Sequence, residues 1–160
     1  MNRVFVIVLL FVLGLTANAK VAKDPFKGVP TNVAVVALTL LAEARGEGQD
    51  GMYAVACVIQ IRQAERKLTP SRVCLQFKQF SCWNGQTRSV VQKKVLGDTS
   101  PKTIAYAIKI ANQVVKGVKL DHKVVAYANH YCTLETFPNW AVGESPVVIK
   151  KNHKFFLIKS

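Results

Sequence analysis

The chain has 160 residues, 22 of them Lys or Arg against nine Asp or Glu, for a net charge of +13, and half of its residues are hydrophobic. That length holds one domain with a real core. The positive excess has no acidic counter-segment, so it implies an anionic partner (nucleic acid, an anionic membrane or an anionic envelope polymer), and no nucleic-acid-binding motif is present.

Residues 1–19 read as a secretory signal: Arg3, then the apolar run Val4 to Leu15, then Ala17-Asn18-Ala19 with small residues flanking a cleavage site. The apolar run is shorter than the ~20 residues of a membrane span; left uncleaved, it would tether the chain. Export argues further against a nucleic-acid partner. Residues 20–30 form a basic lead-in segment with two prolines. Thr31 or Asn32 can cap a helix from Val33 to about Ala44, which Gly46 and Gly48 end. A second helix is expected from near Gly51 to about Ala64, with Ala54, Val55, Val58, Ile59 and Ile61 on one face. Thr69-Pro70 opens a short helix to about Leu75, and Phe77 to Gly85 reads as an irregular aromatic loop. Ser100-Pro101 repeats the cap-proline pattern. It opens a helix to about Val115 with Ile104, Ala107, Ile108, Ala111, Val114 and Val115 toward the core. Val124–Tyr131, Val147–Ile149 and Phe155–Ile158 are strand candidates. Helices first and short strands later predict an α+β fold, several helices with a small antiparallel sheet.

Three of the nine carboxylates, Glu43, Glu47 and Asp50, fall within eight residues. Glu43 lies at the C-terminal end of the first helix, where the helix dipole and apolar neighbours both favour its protonated form. Cleavage of a glycosidic bond needs such a donor for the leaving oxygen. Structural alternatives are a pairing of Glu43 with a buried Arg45, and Glu47 as a carboxylate holding the glycine turn. Late in the chain, Trp140, His130-Tyr131 and His153-x-Phe155-Phe156 supply rings with polar edges, and Phe80-Ser81-Cys82-Trp83 adds another aromatic patch; such groups suit sugar faces and hydroxyls, and equally a core. His130 and His153 could instead ligate a metal, although their spacing matches no tight motif. The even count of cysteines in an exported chain suggests two disulfides, with Cys74–Cys82 as the short-loop pairing and Cys57–Cys132 remaining; the alternative is that Cys57 is a small core residue.

Taken together, these motifs resemble the catalytic domain of the SleB/CwlJ-type cell wall hydrolases. The resemblance rests on Ala42-Glu43-Ala44-Arg45-Gly46-Glu47, Gly51-Met52-x-Ala54-Val55-Ala56-x-Val58-Ile59, Gln79-Phe80-Ser81-x-Trp83, Ala128-x-His130-Tyr131, Pro138-x-Trp140-Ala141 and His153-x-Phe155-Phe156, in the family's order. The chain departs from the family where Ile61-Arg62 stands for Asn-Arg, where Cys82 is inserted, where Cys132 replaces a second histidine, and where Lys151 or Asn152 replaces a glycine. The resemblance implies a lysozyme-like α+β domain over 31–160 and peptidoglycan as substrate. It implies cleavage of the glycan strand at N-acetylmuramic acid, by a lytic transglycosylase or muramidase route. Carried over by position, Glu43 is the general acid/base and Glu47 the second carboxylate of the motif. Trp83, His130, Tyr131, Trp140 and His153 are candidates for holding substrate. A monomer is expected, with no cofactor, no metal and no nucleic acid, and with membrane contact only through an uncleaved signal. The competing readings are a zinc amidase using His130, His153 and a Glu, and a cationic wall-binding domain that cuts nothing.

Overall fold

The computed structural model describes residues 24–159; the expected signal and its cleavage site lie outside them. Helix α1, Thr31–Ala44, is apolar on nearly every side and is buried from Val33 to Leu41. A helix with no polar face has to be surrounded, and α2 (Gly48–Arg66), α3 (Pro70–Leu75), α4 (Arg88–Leu96) and α5 (Pro101–Val115) all pack against it. The cap-proline signatures hold as expected. Thr69 Oγ1 accepts from the Arg72 N–H, and Ser100 Oγ from the Thr103 N–H. At the start of α1, neither Thr31 nor Asn32 serves as cap. The helix begins at Thr31 after Pro30, whose ring already sets the entering backbone. The lead-in segment is part of the packed body: Phe26 is buried in the core, and Asp24 Oδ1 accepts from the Phe26 N–H and from Gln92 Nε2. Helix α4 has no counterpart among the expected elements. It buries only Val91 and Val95, too little to write a period into the sequence.

The sheet has strand order β1-β3-β2, all antiparallel, with β1 at His130–Thr133, β2 at Val148–Lys150 and β3 at His153–Phe156. The first strand is shorter than the Val124–Tyr131 run predicts. His122–Val125 is a 3-10 turn, and Ala126 and Tyr127 take φ of 48° and 60°, which breaks the extension before Ala128. Register pairs His130 with Phe156, Tyr131 with Phe155 and Thr133 with His153. Alternate side chains leave opposite faces of a strand, so Tyr131, His153 and Phe155 share one face while His130 and Phe156 share the other. The ring contacts follow that division. Tyr131 meets His153 and Phe155, whereas Trp140 lies against His130 and Phe156.

Asn129, just before β1, fastens the sheet to α2 and uses its whole hydrogen-bonding capacity. Its Nδ2 donates to Glu65 Oε1 and to the Ile158 carbonyl, and its Oδ1 accepts from the Ile158 N–H and from His130 Nδ1. Its carbonyl accepts from Arg62 Nε at 2.6 Å.

The four cysteines are free thiols, which corrects the expectation of two disulfides. Cys57 Sγ faces the Asp121 carbonyl and Cys132 Sγ the Thr136 carbonyl, so their environments differ. Cys74 belongs to α3 in the core, and Cys82 lies in a 3-10 turn, Ser81–Trp83. Burial pushes the thiols of Cys57, Cys74 and Cys82 up to about 12, which makes them packing residues and poor nucleophiles.

Candidate active site

The acidic corner is a tight change of direction. Helix α1 stops at Ala44, a single 3-10 turn covers Arg45–Glu47, and α2 starts at Gly48 with φ of 73°, a conformation that glycine adopts without strain. Because the helix does not continue, Glu43 and Glu47 leave in different directions. Gly51 is needed for the second of these. A Cβ there would stand 2.4 Å from the Glu47 Cβ. Arg45 does not pair with Glu43; it forms an exposed ion pair with Asp98, with Nη2 and Oδ2 3.1 Å apart.

Glu43 opens into a cleft of about 600 Å³ lined by Arg62, Lys78, Gln79, Ser81, His130–Thr133, Thr136, Pro138, Trp140 and His153. It is the one carboxylate in that lining, beside two cations, Arg62 and Lys78. Burial raises its pKa above the ordinary carboxylate value; the Tyr131 hydroxyl, then the charges of His153 and Arg62, pull in the opposite direction without cancelling it. Tyr131 donates to Glu43 Oε2 at 2.8 Å, which leaves Oε1 as the oxygen for a transferable proton. The Tyr131 hydroxyl itself is held far above its usual pKa, by burial first and by Glu43 next, so it remains a hydrogen-bond donor.

Glu47 does not line the cleft. Its Oε1 lies 2.5 Å from Nδ1 of His153, a nitrogen that among the described residues has no hydrogen-bond partner of good geometry. This contact fixes the His153 ring, whose edge packs against Tyr131 at 5.1 Å between centroids. Glu47 therefore reaches the site only through contacts, by way of His153 and Tyr131, whereas Glu43 faces the cleft directly.

His130 donates through Nδ1 to Asn129 Oδ1, because that oxygen also accepts the Ile158 N–H. Burial, then the Arg62 and Arg66 charges, lowers its pKa, so the neutral ring keeps Nε2 as an acceptor. Trp140 lies at 5.0 Å from His130 and is partly exposed at the cleft edge. Trp83 stands apart from the others. It is buried, donates from Nε1 to Thr39 Oγ1 at 2.9 Å, and does not line the cleft.

Two members of the site had no signal as chemistry in the sequence. Arg62, 4% exposed, donates from Nε to the Asn129 carbonyl, sits over the Phe80 ring and, in the cleft wall, leaves Nη1 without a partner among the described residues. Asn129 sets both Arg62 and His130. Neither residue type is unusual at its position, and only the pairing of sheet with helix reveals the connection. A zinc site using both histidines is not assembled. His130 and His153 lie three positions apart along the β1–β3 ladder, roughly 10 Å. Among the described residues no three His, Cys, Asp or Glu side chains converge as metal ligands.

An α+β domain with one carboxyl of raised pKa, in a cleft of aromatic, hydroxyl and cationic groups, suits a hydrolase for a polar, anionic polymer. The family model for Cell Wall Hydrolase matches residues 46–156, and the chain belongs to that family: it is a cell wall hydrolase acting on peptidoglycan. The match takes in Glu47 and the late aromatic residues, and it begins just after Glu43. No curated protein and no solved structure matches the chain.

Proposed function

We propose that this hydrolase is exported and cleaves the glycan strand beside N-acetylmuramic acid, as a lytic transglycosylase with Glu43 as its single acid and base. The observation that carries this reading is that Glu43 alone among the carboxylates lines the cleft, with its pKa raised by burial. A mechanism with two carboxylates needs a second one flanking the scissile bond, and Glu47 is engaged with His153 instead. A single carboxyl suffices when the sugar supplies its own nucleophile. Glu43 Oε1 gives its proton to the glycosidic oxygen as the C1–O bond breaks. The resulting carboxylate then takes the proton of the muramic 6-hydroxyl as O6 bonds to C1 and closes a 1,6-anhydro ring. Tyr131 supports both states: its hydroxyl donates to Oε2 before and after the transfer, and it offsets the carboxylate's charge in the second step. His130, Tyr131, Trp140 and His153 are the residues that we assign to holding the sugars, and the enzyme works as a monomer without a cofactor.

The test is Glu43→Gln, which keeps the acceptor for Tyr131 and removes the proton. It should abolish solubilisation of purified sacculi while the far-UV spectrum stays unchanged; full activity would overturn the assignment. Mass spectrometry of the fragments released by the unaltered protein separates the routes. Anhydro-muramic ends support this reading, reducing muramic ends indicate water as the nucleophile, and free stem peptides indicate the amidase.

A further inference from the structure

The two most exposed phenylalanines of the described residues, Phe77 at 79% and Phe137 at 80%, both sit on loops that also line the cleft. Single exposed apolar residues are ordinary. These two differ because each is held on a braced turn. Around Phe77, Arg66 Nη1 donates to Gln76 Oε1 at 2.6 Å and to Gln79 Oε1 at 2.8 Å, clamping both ends of the tip, and the Lys78 N–H donates to Asn84 Oδ1. Lys78 itself takes φ of 61°, a left-handed conformation that costs free energy for a residue with a Cβ. Next to Phe137, the Thr136 N–H donates to the Thr133 carbonyl and the two threonine hydroxyls bond each other. The Thr136 carbonyl accepts from Lys154 Nζ at 3.1 Å.

Each ring also has a lysine ammonium over it: Lys78 Nζ is 5.1 Å from the Phe77 centroid and Lys154 Nζ is 3.9 Å from that of Phe137. Each unit is thus an exposed apolar ring on a braced turn with a cation against it, at the rim of the cleft, whose lining includes Lys78. A ring face suits the C–H face of a pyranose, and the cation suits a carboxylate carried on the same strand. A cleft of about 600 Å³ is on the scale of a small-ligand site, so a polymer threaded through it must leave it across its edges.

We infer that Phe77–Lys78 and Phe137–Lys154 form two outlying subsites that grip an anionic glycan strand where it runs beyond the cleft. The inference rests on the glycan-cleaving reading above, and it assigns these residues to chain-length selection, separate from bond cleavage. Binding should therefore strengthen with strand length past the point at which the cleft is full, and added salt should weaken that extra part.

The experiment uses the full chain carrying Glu43→Gln, so that strands stay intact during measurement. Binding is read against size-fractionated glycan fragments from peptidoglycan and against whole sacculi. The comparison is with the same chain carrying Phe77→Ser and Phe137→Ser, and with a Phe77→Tyr, Phe137→Tyr version that keeps the rings. The serine version should melt as the reference does, bind long strands roughly ten-fold more weakly (two aromatic contacts of ordinary strength) and lose the rise with length; the tyrosine version should keep the rise. An equal rise in the serine version, or no rise in the reference, overturns the inference while fragment binding in the cleft still supports the glycan reading. Fragments of every length failing to bind would instead sink the glycan reading itself.

Discussion

Tyr131→Phe isolates the hydroxyl that holds Glu43. In the structure that hydroxyl donates to Oε2 at 2.8 Å and is the largest influence opposing the rise of the Glu43 pKa. A hydrogen bond to a charged acceptor contributes about 1.5–3 kcal/mol, and one to a neutral acceptor about 0.5–1.5 kcal/mol. The difference, about 1–1.5 kcal/mol, falls on the ionised form. At 1.36 kcal/mol per unit it corresponds to a pKa change of about one unit. The sign is fixed by which form loses its partner. Removing the donor destabilises the carboxylate, so the Glu43 pKa rises further and the acid form persists to higher pH. The limb of the pH–rate profile set by loss of the Glu43 proton should move upward by about one unit. Initial rates of sacculus solubilisation across pH measure it, and a titration of the labelled Glu43 carboxyl carbon by NMR reads the same shift without turnover. A limb that stays in place or moves downward, in a variant that still melts cooperatively, would refute the argument that Tyr131 tunes this acid.

Asn129→Ala should lower stability by about 2–4 kcal/mol in denaturant unfolding, since it removes four side-chain hydrogen bonds, and among the described residues the Ile158 backbone and His130 Nδ1 have no other partner. Glu43→Gln should be more stable than the unaltered protein at neutral pH, with the advantage shrinking on acidification. The raised folded pKa means that the native state binds this proton more tightly than the unfolded chain. The contribution of Glu43 is therefore fully present below the ordinary carboxylate pKa and is lost as pH rises through the folded one. Melting temperatures of the two proteins across pH check the direction.

The helices were legible where their signals are local. Thr69-Pro70 and Ser100-Pro101 announce a side-chain cap and a fixed φ in two adjacent residues, and both helices begin there. Helix α4 left no such mark, because only Val91 and Val95 are buried. The strand at Val124 was misplaced for a related reason: β-branched residues indicate a half-buried surface, and Val125 meets that need from within a 3-10 turn. Glu43 could be singled out because an acid at the end of an apolar helix is rare in a chain with nine carboxylates. The parting of Glu47 toward His153 could not, since it depends on a strand 106 positions later in the chain reaching the corner. Trp83 reads like a sugar platform by type, yet its indole N–H is already taken by Thr39. The pairing of cysteines reasoned from compartment and count, and packing assigned each sulfur a separate place.

The corner between α1 and α2 does more than carry two acids; it sends them into unlike surroundings within a few residues. An uninterrupted helix would stack residues four apart on one face, and two carboxylates close together would share a proton and shift each other's titration. The break at Ala44 and the left-handed Gly48 send Glu43 into the cleft, and the absence of a side chain at Gly51 lets Glu47 fold back toward β3. Glu43 is then left in a partly desolvated position that raises its pKa, while Glu47 lies against His153, whose ring packs on Tyr131. The hydroxyl of that tyrosine returns to Glu43. The second carboxylate is thus linked to the first through two side chains, and it stands outside the cleft lining, so under the single-acid proposal the two have no proton to share.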